Sequence, residues 1–173
     1  EQGKYVVETF AERGGEESEY QRVVFTVISA GLNEVWVKVT EEPESWEGDY
    51  LIVSGDYAFD GSFVAEFGNY LKDIPNSKEF VSTGDVYLED NCDYYFKIRE
   101  DGYGKYSVES ASGYYIGGTN PIRSVSSGYN KVYGHEISVN ADGTVELAVG
   151  TVSLRYSEYN NNFDYKAAGN PIQ

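Results

Sequence analysis

The sequence has very few residues of the kinds that build metal and redox sites. Cys92 is its only cysteine and His135 its only histidine. A single cysteine excludes an internal disulfide, and this pair cannot supply the three or four ligands of a zinc site. The acidic neighbours of Cys92 disfavour a reactive thiolate. We therefore expect Cys92 to be a small, partly buried side chain and His135 to be a hydrogen-bonded residue at the end of a strand.

Positive charge is also scarce. Thirteen Lys and Arg residues stand against 29 Asp and Glu residues, which gives a formal net charge of −16. Such a charge repels nucleic-acid phosphates and anionic lipid headgroups, and it favours solubility. No apolar run reaches the roughly 18 residues that a membrane span requires. We therefore expect no nucleic-acid partner and no membrane insertion.

Methionine is absent, including at position 1. This absence predicts that the chain begins after a processing site or at an artificial boundary. A removed signal peptide fits that start. We therefore expect a secreted or cell-surface, extracytoplasmic location.

The motifs of common catalytic sites are missing as well. No serine lies in a G-x-S-x-G elbow, and no glycine-rich loop precedes a helix that could hold phosphates. We therefore expect no enzyme activity and no cofactor, with a hydrolase as the alternative because carboxylates are abundant. Bound calcium is a further alternative, although turn formation explains each aspartate near a turn more simply. These aspartates are Asp56, Asp60, Asp90, Asp93, Asp101 and Asp142.

The residues that are present favour β-structure. Residues 34–40 alternate between valine and other residues, which is typical of a strand. Two hairpins are predicted: residues 95–99 with 105–108, and residues 135–139 with 144–149. Each pair is joined by a loop that contains Asp-Gly, which supplies the positive φ of tight turns. Only residues 63–71 have apolar spacing compatible with a short helix.

A weak threefold repeat runs through residues 34–173, in the order strand, Asp-Gly turn, strand, small-residue turn, strand. This order predicts a closed antiparallel barrel of β-trefoil type, with a β-sandwich as the alternative. Residues 1–33 differ from the repeat and contain two β-rich runs around a polar turn. They are predicted to form an N-terminal β-hairpin or the end of an immunoglobulin-like module. The domain division is therefore 1–33 and 34–173.

The second repeat also carries a family resemblance. Residues 106–117 contain Ser110, Gly113 and Ile116 in the run S-A-S-G-Y-Y-I-G, which resembles the core of a small C-terminal all-β domain in secreted Bacteroidetes multidomain proteins. Residues 45–53, 152–156, 162–166 and 171–173 resemble the opening and closing stretches of that domain. The resemblance implies a secreted or cell-surface module, and it carries over no catalytic residues.

Aromatic residues are the one excess: the chain has 17 tyrosines, eight phenylalanines and two tryptophans. Such rings stack on sugar faces or on partner proteins. We therefore predict a non-catalytic extracellular binding module for carbohydrate, with a spacer or protein-interaction domain as the alternative. Its partner is a glycan or a protein at the cell surface. The candidate ligand-binding residues are Trp46, Tyr57, Tyr103, Tyr129, Tyr156 and Tyr159.

Overall fold

The computed structural model describes residues 3–9, 12–13, 16–17, 21–27, 33–63, 71, 74–80, 86–90, 92–117, 125–129, 131–167 and 169–173. These residues form β-strands joined by turns, with one short 3-10 helix at Lys131–Tyr133. The predicted all-β class is confirmed. Most of residues 63–71, where a short helix was predicted, lies outside the described residues.

The backbone divides into two compact units, Glu1–Glu34 with Glu89–Asn91, and Val35–Leu88 with Cys92–Gln173. The first unit contains β1 (Gly3–Thr9), β2 (Glu12–Arg13), β3 (Glu16–Glu17) and β4 (Gln21–Val27). Strands β1 and β4 pair antiparallel, with Gly3 opposite Val27 and Thr9 opposite Gln21. This pairing joins the two β-rich runs of residues 1–33, while the domain division and the origin in an immunoglobulin-like module stay predictions.

Two strands, β5 (Asn33–Val37) and β10 (Val86–Asp90), pair with each other. The second unit holds a five-stranded, a four-stranded and a three-stranded antiparallel sheet, with the orders β14-β13-β12-β11-β6, β15-β16-β17-β18 and β7-β8-β9. Their strands are β6 (Gly48–Tyr50), β7 (Val53–Ser54), β8 (Tyr57–Phe59), β9 (Ser77–Glu79), β11 (Phe96–Glu100), β12 (Tyr106–Ser110), β13 (Tyr115–Ile116), β14 (Val125–Ser126), β15 (Glu136–Val139), β16 (Val145–Val149), β17 (Val152–Ser157) and β18 (Asn162–Lys166).

Both predicted hairpins of the second unit are present. Strand β11 pairs with β12 so that Ile98 faces Val108, and β15 pairs with β16 so that Ile137 faces Leu147. Gly143 has a φ of 77° in the second turn, a value that glycine adopts without steric cost. The hairpins form where predicted because the apolar alternation and the turn residues agree.

Three phenylalanines form the centre of the core of the second unit. Phe59 from β8 stacks on Phe96 from β11 and on Phe163 from β18, at centroid distances of 4.9 and 5.2 Å. All three rings are fully buried. Aliphatic side chains from the five-stranded and four-stranded sheets surround them, among them Ile98, Val108, Ile116, Leu147 and Leu154. One apolar cluster therefore joins sheets whose strands come from distant parts of the chain.

The last residues of the chain join the sheets through their backbone. Asn170 pairs with Tyr156 of β17, and Ile172 pairs with Val145 of β16. The Gln173 N–H then donates to the carbonyl of Val53 in β7 over 2.8 Å. The backbone of residues 170–173 therefore links the four-stranded sheet to the three-stranded sheet.

Candidate binding site

The six predicted binding residues lie in different environments. Trp46 and Tyr156 belong to the core, with exposed fractions of 4 and 2 %. Both rings pack in the core, and Tyr156 also lines the cleft described below. Tyr103 and Tyr159 are exposed to 73 and 96 %. Tyr57 and Tyr129 are half-buried.

Asp101 brings two of the predicted residues together. Its Oδ2 accepts a hydrogen bond of 2.5 Å from the Tyr129 hydroxyl, and its Oδ1 accepts the backbone N–H of Tyr103 over 2.8 Å. Oδ1 also accepts the backbone N–H of Lys105 over 3.0 Å. This one carboxylate fixes the loop between β11 and β12 and sets Tyr129 beside Tyr103. Neither contact is visible in the periodicity of the sequence.

A second tyrosine and carboxylate lie beside the first pair. Tyr115 of β13 pairs with Glu109 of β12 in the register of the two strands, and the Glu109 carboxylate helps to raise the pKa of the Tyr115 hydroxyl. The rings of Tyr115 and Tyr129 meet edge to face at a centroid distance of 5.5 Å. We call Asp101, Tyr103, Glu109, Tyr115 and Tyr129 the tyrosine patch.

The backbone near Asp101 leaves room for this arrangement only because residue 134 is glycine. A Cβ atom there would lie 2.9 Å from Asp101 Oδ2 and 3.1 Å from Lys105 Cβ. Carbon atoms do not approach so closely without displacement of their neighbours. Gly134 therefore allows the segment before β15 to pass against the carboxylate that holds Tyr129.

The ionisation of the patch follows from these contacts. Burial acts to raise the pKa of Asp101, but the hydrogen bonds from Tyr129, Tyr103 and Lys105 outweigh it, so the pKa falls below its ordinary value. Burial, the hydrogen bond to Asp101 and the Asp101 charge raise the pKa of Tyr129. Burial and Glu109 raise the pKa of Tyr115. Near neutral pH the patch therefore carries ionised Asp101 beside two protonated phenols.

A second group of the predicted residues lies around the β17–β18 turn. Tyr57 stacks on Tyr156 at a centroid distance of 5.1 Å and an interplanar angle of 22°, so each ring covers a face of the other. A cleft of about 280 Å³ lies nearby and is lined by Tyr156, Ser157, Glu158, Lys166, Gly169 and Asn170. Tyr159 is exposed in the same turn. This cleft is polar, and its side chains already pair: Asn170 donates to Glu158 over 3.0 Å.

His135 occupies a buried position and not a site open to solvent. Its Nδ1 lies 3.3 Å from the carbonyl of Tyr106, and its Nε2 lies 2.6 Å from the hydroxyl of Tyr165. A carbonyl can only accept, so Nδ1 carries the proton and Nε2 accepts from Tyr165. No lone pair remains for a metal or for general-base work. The prediction of a hydrogen-bonded strand-end histidine is confirmed, and Cys92 is buried as expected.

In the part of the chain that the structure describes, no three His, Cys, Asp or Glu side chains are placed to hold a metal ion. Three of the aspartates considered for calcium hold turns instead: Asp60 accepts the N–H of Ser62 over 2.7 Å, Asp142 accepts the N–H of Thr144 over 3.0 Å, and Asp101 acts as described above. The described residues also contain no helix with the length and apolarity that a membrane crossing needs.

Comparison of the chain with protein-family models, curated proteins and solved structures found no match. The choice between the two groups of tyrosines therefore depends on their geometry. In the tyrosine patch, the carboxylate of Asp101 holds the backbone N–H of the exposed Tyr103 as well as the Tyr129 hydroxyl. In the β17–β18 group, the described hydrogen bonds do not include the backbone of the exposed Tyr159. The tyrosine patch is the better candidate for binding.

Proposed function

We propose that this chain is a non-catalytic, carbohydrate-binding module of a secreted or cell-surface protein, and that the tyrosine patch is its ligand site. The observation that carries the proposal is the position of Tyr103. Its ring is largely exposed, while its backbone N–H is held by the same carboxylate that holds Tyr129. An exposed aromatic ring on an ordered loop is the usual platform for the apolar face of a sugar.

The groups around Tyr103 suit the rim of a sugar ring. The carboxylates of Asp101 and Glu109 can accept hydrogen bonds from hydroxyl groups, and bonds to charged groups are stronger than neutral ones. The phenol of Tyr129 is already oriented by Asp101, so this side chain loses little freedom on binding. These features support recognition of a polyhydroxylated ligand by stacking and hydrogen bonds.

The same geometry supports a binding role over a catalytic one. A general acid in glycoside hydrolysis needs a carboxyl group whose pKa is raised. The contacts of Asp101 lower its pKa instead, and both nitrogens of the only histidine are occupied. The net charge of −16 opposes nucleic-acid and anionic-lipid partners, which fits a module that meets glycans or proteins outside the cell.

For the second unit we propose a trefoil-like arrangement of the three sheets. Phe59 stacks on both Phe96 and Phe163, and the three rings come from three different sheets, which supports packing of those sheets around one centre. In the described residues none of the strand orders closes on itself, so an open sandwich is the alternative architecture. Either architecture places the β11–β12 loop at the surface.

The test is a glycan array followed by calorimetric titration of the glycans that bind. We expect Tyr103→Ala to weaken the affinity at least about tenfold, which corresponds to the roughly 1.4 kcal/mol that a stacked ring can contribute. Tyr159→Ala is the matched control because it removes a ring from another turn that is even more exposed than Tyr103. The affinity of this variant for the glycan should stay within about twofold of the affinity of the parent protein.

Two results would contradict this proposal. A loss of affinity in Tyr159→Ala with none in Tyr103→Ala would move the site to the β17–β18 turn. A folded protein that binds no glycan on the array would favour the alternative function, a spacer or protein-interaction domain. Circular dichroism of each variant shows that the protein compared is folded.

A further inference from the structure

We infer that residues 170–173, which we call the strap, form an exchangeable strand, and that the groove around them accepts the strap of a second copy of this chain. Reciprocal exchange of straps gives a symmetric dimer. The inference does not depend on carbohydrate binding. The groove is formed by Val53, Ser54, Val145, Tyr156 and Glu158.

Backbone hydrogen bonds hold the strap against the four-stranded sheet. The N–H of Asn170 donates to the carbonyl of Tyr156 over 3.1 Å, and the Tyr156 N–H donates back to the Asn170 carbonyl over 3.0 Å. Two residues later, the carbonyl of Ile172 accepts the N–H of Val145 over 2.8 Å. The strap therefore meets both β16 and β17 through its main chain.

The strap also adds a strand to the free edge of the three-stranded sheet, where β7 is the last strand. The Gln173 N–H donates to the carbonyl of Val53 over 2.8 Å, and the Val53 N–H donates to the Gln173 carbonyl over 3.4 Å. Pro171 has no N–H, and its carbonyl accepts the hydroxyl of Ser54 over 2.8 Å. Addition of a strand to a sheet edge is a common way in which proteins bind extended peptides.

Two alternate side chains of the strap are also recognised. The Asn170 side-chain amide donates to the carboxylate of Glu158 over 3.0 Å. Ile172 is 2 % exposed and belongs to the core cluster. In strand addition, main-chain bonds supply affinity and pockets for alternate side chains supply specificity. The groove therefore fits the sequence Asn-Pro-Ile-Gln in particular.

The contacts of the strap are those of a separate peptide. All the partners named above lie at residue 158 or earlier, so none belongs to the link of residues 167–169 that connects the strap to β18. Without a strap, the backbone groups of Val53, Val145 and Tyr156 lose these partners at buried positions, which costs free energy. The groove therefore needs an occupant, and a second copy supplies one with the same sequence and the same contacts.

The length of the link decides which copy supplies the strap. Lys166 pairs with Ser153 on β17, and Asn170 pairs with Tyr156 on the same strand. These two positions of β17 lie three residues apart, so the link must cover about 10 Å at roughly 3.3 Å per residue of strand. The natural link is long enough for the strap to reach the groove of its own copy.

A shorter link should direct the strap into a second copy. If Ala167 and Ala168 are deleted, only Gly169 remains between Lys166 and Asn170, and two extended steps reach at most about 7 Å. The strap can then no longer reach the groove of its own copy, whereas it can still enter the groove of another copy. The same groove is thereby filled in a dimer.

The experiment measures the dimer fraction of this deletion variant by size-exclusion chromatography with light scattering. The matched control inserts two glycines after Ala167, which is exposed, so that the same link becomes longer. At about 50 µM protein, we expect at least tenfold more dimer in the deletion variant than in the parent protein. The insertion variant should match the parent, because a longer link still gives its own strap a high effective concentration.

A synthetic peptide with the sequence of residues 167–173 shows whether the dimer forms through the groove. In excess, at about 5 mM, it should lower the dimer fraction of the deletion variant at least threefold, because it competes with the strap of the second copy. The Ile172→Asp form of the peptide is the control. It brings a charge to a buried position and should leave the dimer fraction unchanged.

Each result supports or overturns the inference. A deletion variant that is folded by circular dichroism and stays monomeric overturns it. A dimer that the peptide does not reduce forms through another surface, which also overturns it. If the deletion variant does not fold alone, recovery of the parent spectrum on addition of the peptide supports the inference, and no recovery overturns it. Glycan binding enters none of these measurements, so failure of the proposed function leaves this test unchanged.

Discussion

Replacing Phe59 with alanine is expected to lower the free energy of unfolding of the second unit by about 3 to 5 kcal/mol, the usual cost of removing a buried ring. Phe59 has no exposed surface, and its ring stacks on both Phe96 and Phe163. The substitution deletes two aromatic contacts and leaves a cavity between three sheets. Urea unfolding measures the effect as a lower midpoint with an unchanged slope.

Phe59→Leu and Tyr159→Ala complete this test. Phe59→Leu keeps most of the apolar volume, so it should cost clearly less than the alanine variant. Tyr159→Ala removes a ring that is 96 % exposed and should change the stability by no more than about 0.5 kcal/mol. A loss below about 1.5 kcal/mol in Phe59→Ala would show that the phenylalanine stack is not the centre of the core.

The hairpins of the second unit could be predicted from sequence because the residues that specify each hairpin lie close together in the chain. Strand β16 alternates as predicted, with Val145, Leu147 and Val149 buried on one face. The turn before it contains Asp142, whose Oδ1 accepts the Thr144 N–H, as aspartates in turns commonly do. Apolar alternation and turn residues lie within a few positions of each other, so a single stretch of sequence contains both signals.

The candidate site could be predicted only in part because its contacts join distant residues. Tyr103 and Tyr129 were predicted from their position in turns, but the carboxylate that joins them, Asp101, lies 28 residues before Tyr129. Tyr115 and Glu109 were not predicted, and their only sequence signal is that they flank the small-residue turn between β12 and β13. Such contacts depend on which strands pair and in which register, and the amino-acid composition does not reveal this pairing.

The burial of individual aromatic side chains could not be predicted from the composition either. Tyr156 resembles the other turn tyrosines in sequence, yet it is a core residue whose ring stacks on Tyr57, 99 positions earlier in the chain. Trp46 lies in a polar stretch and is nevertheless buried. A large ring in a short polar segment packs inward when a distant strand supplies an apolar surface, and the sequence of the segment itself does not reveal that strand.

The core of the second unit and the proposed binding site contain different residues. The phenylalanine stack contains no member of the tyrosine patch, and the patch is held by hydrogen bonds among Asp101, Tyr103 and Tyr129 near the surface. Effects at sites without shared contacts are usually additive. If the patch binds as proposed, we therefore expect substitutions of Tyr103 or Glu109 to change the affinity while the unfolding free energy stays near that of the parent protein.

Acidification is expected to destabilise the second unit through His135. Burial lowers the pKa of this histidine to about 4, against an ordinary value of 6.5, and the positive charge of Lys105 acts in the same direction, while hydrogen bonds with the backbone of Tyr106 and Tyr133 oppose it. Between these two pH values the unfolded chain binds the proton and the folded chain does not. The stabilisation is therefore complete above about pH 6.5 and is lost as the pH falls toward 4.

The expected loss is about 2 to 3 kcal/mol between pH 7.5 and 4.5, from roughly 1.4 kcal/mol for each pKa unit. The many carboxylates titrate in the same range, so the measurement is the difference between the parent protein and His135→Gln in urea unfolding at each pH. The decrease in unfolding free energy that the histidine causes as the pH falls should be present in the parent protein and absent in His135→Gln. Equal slopes in the two proteins would refute the assignment.

A direct titration supports this test even where His135→Gln folds poorly. Because His135 is the only histidine, its Cε1–H proton gives a single NMR signal that needs no assignment by mutation. In the folded protein the chemical shift of this proton should change with a midpoint near pH 4, or it should stay constant until the protein begins to unfold. Protonation would place a charge between the carbonyl of Tyr106 and the hydroxyl of Tyr165, where Nε2 must accept a hydrogen bond. A midpoint above pH 6 in the folded protein would mean that solvent reaches the ring, and that the link between β12, β15 and β18 is open.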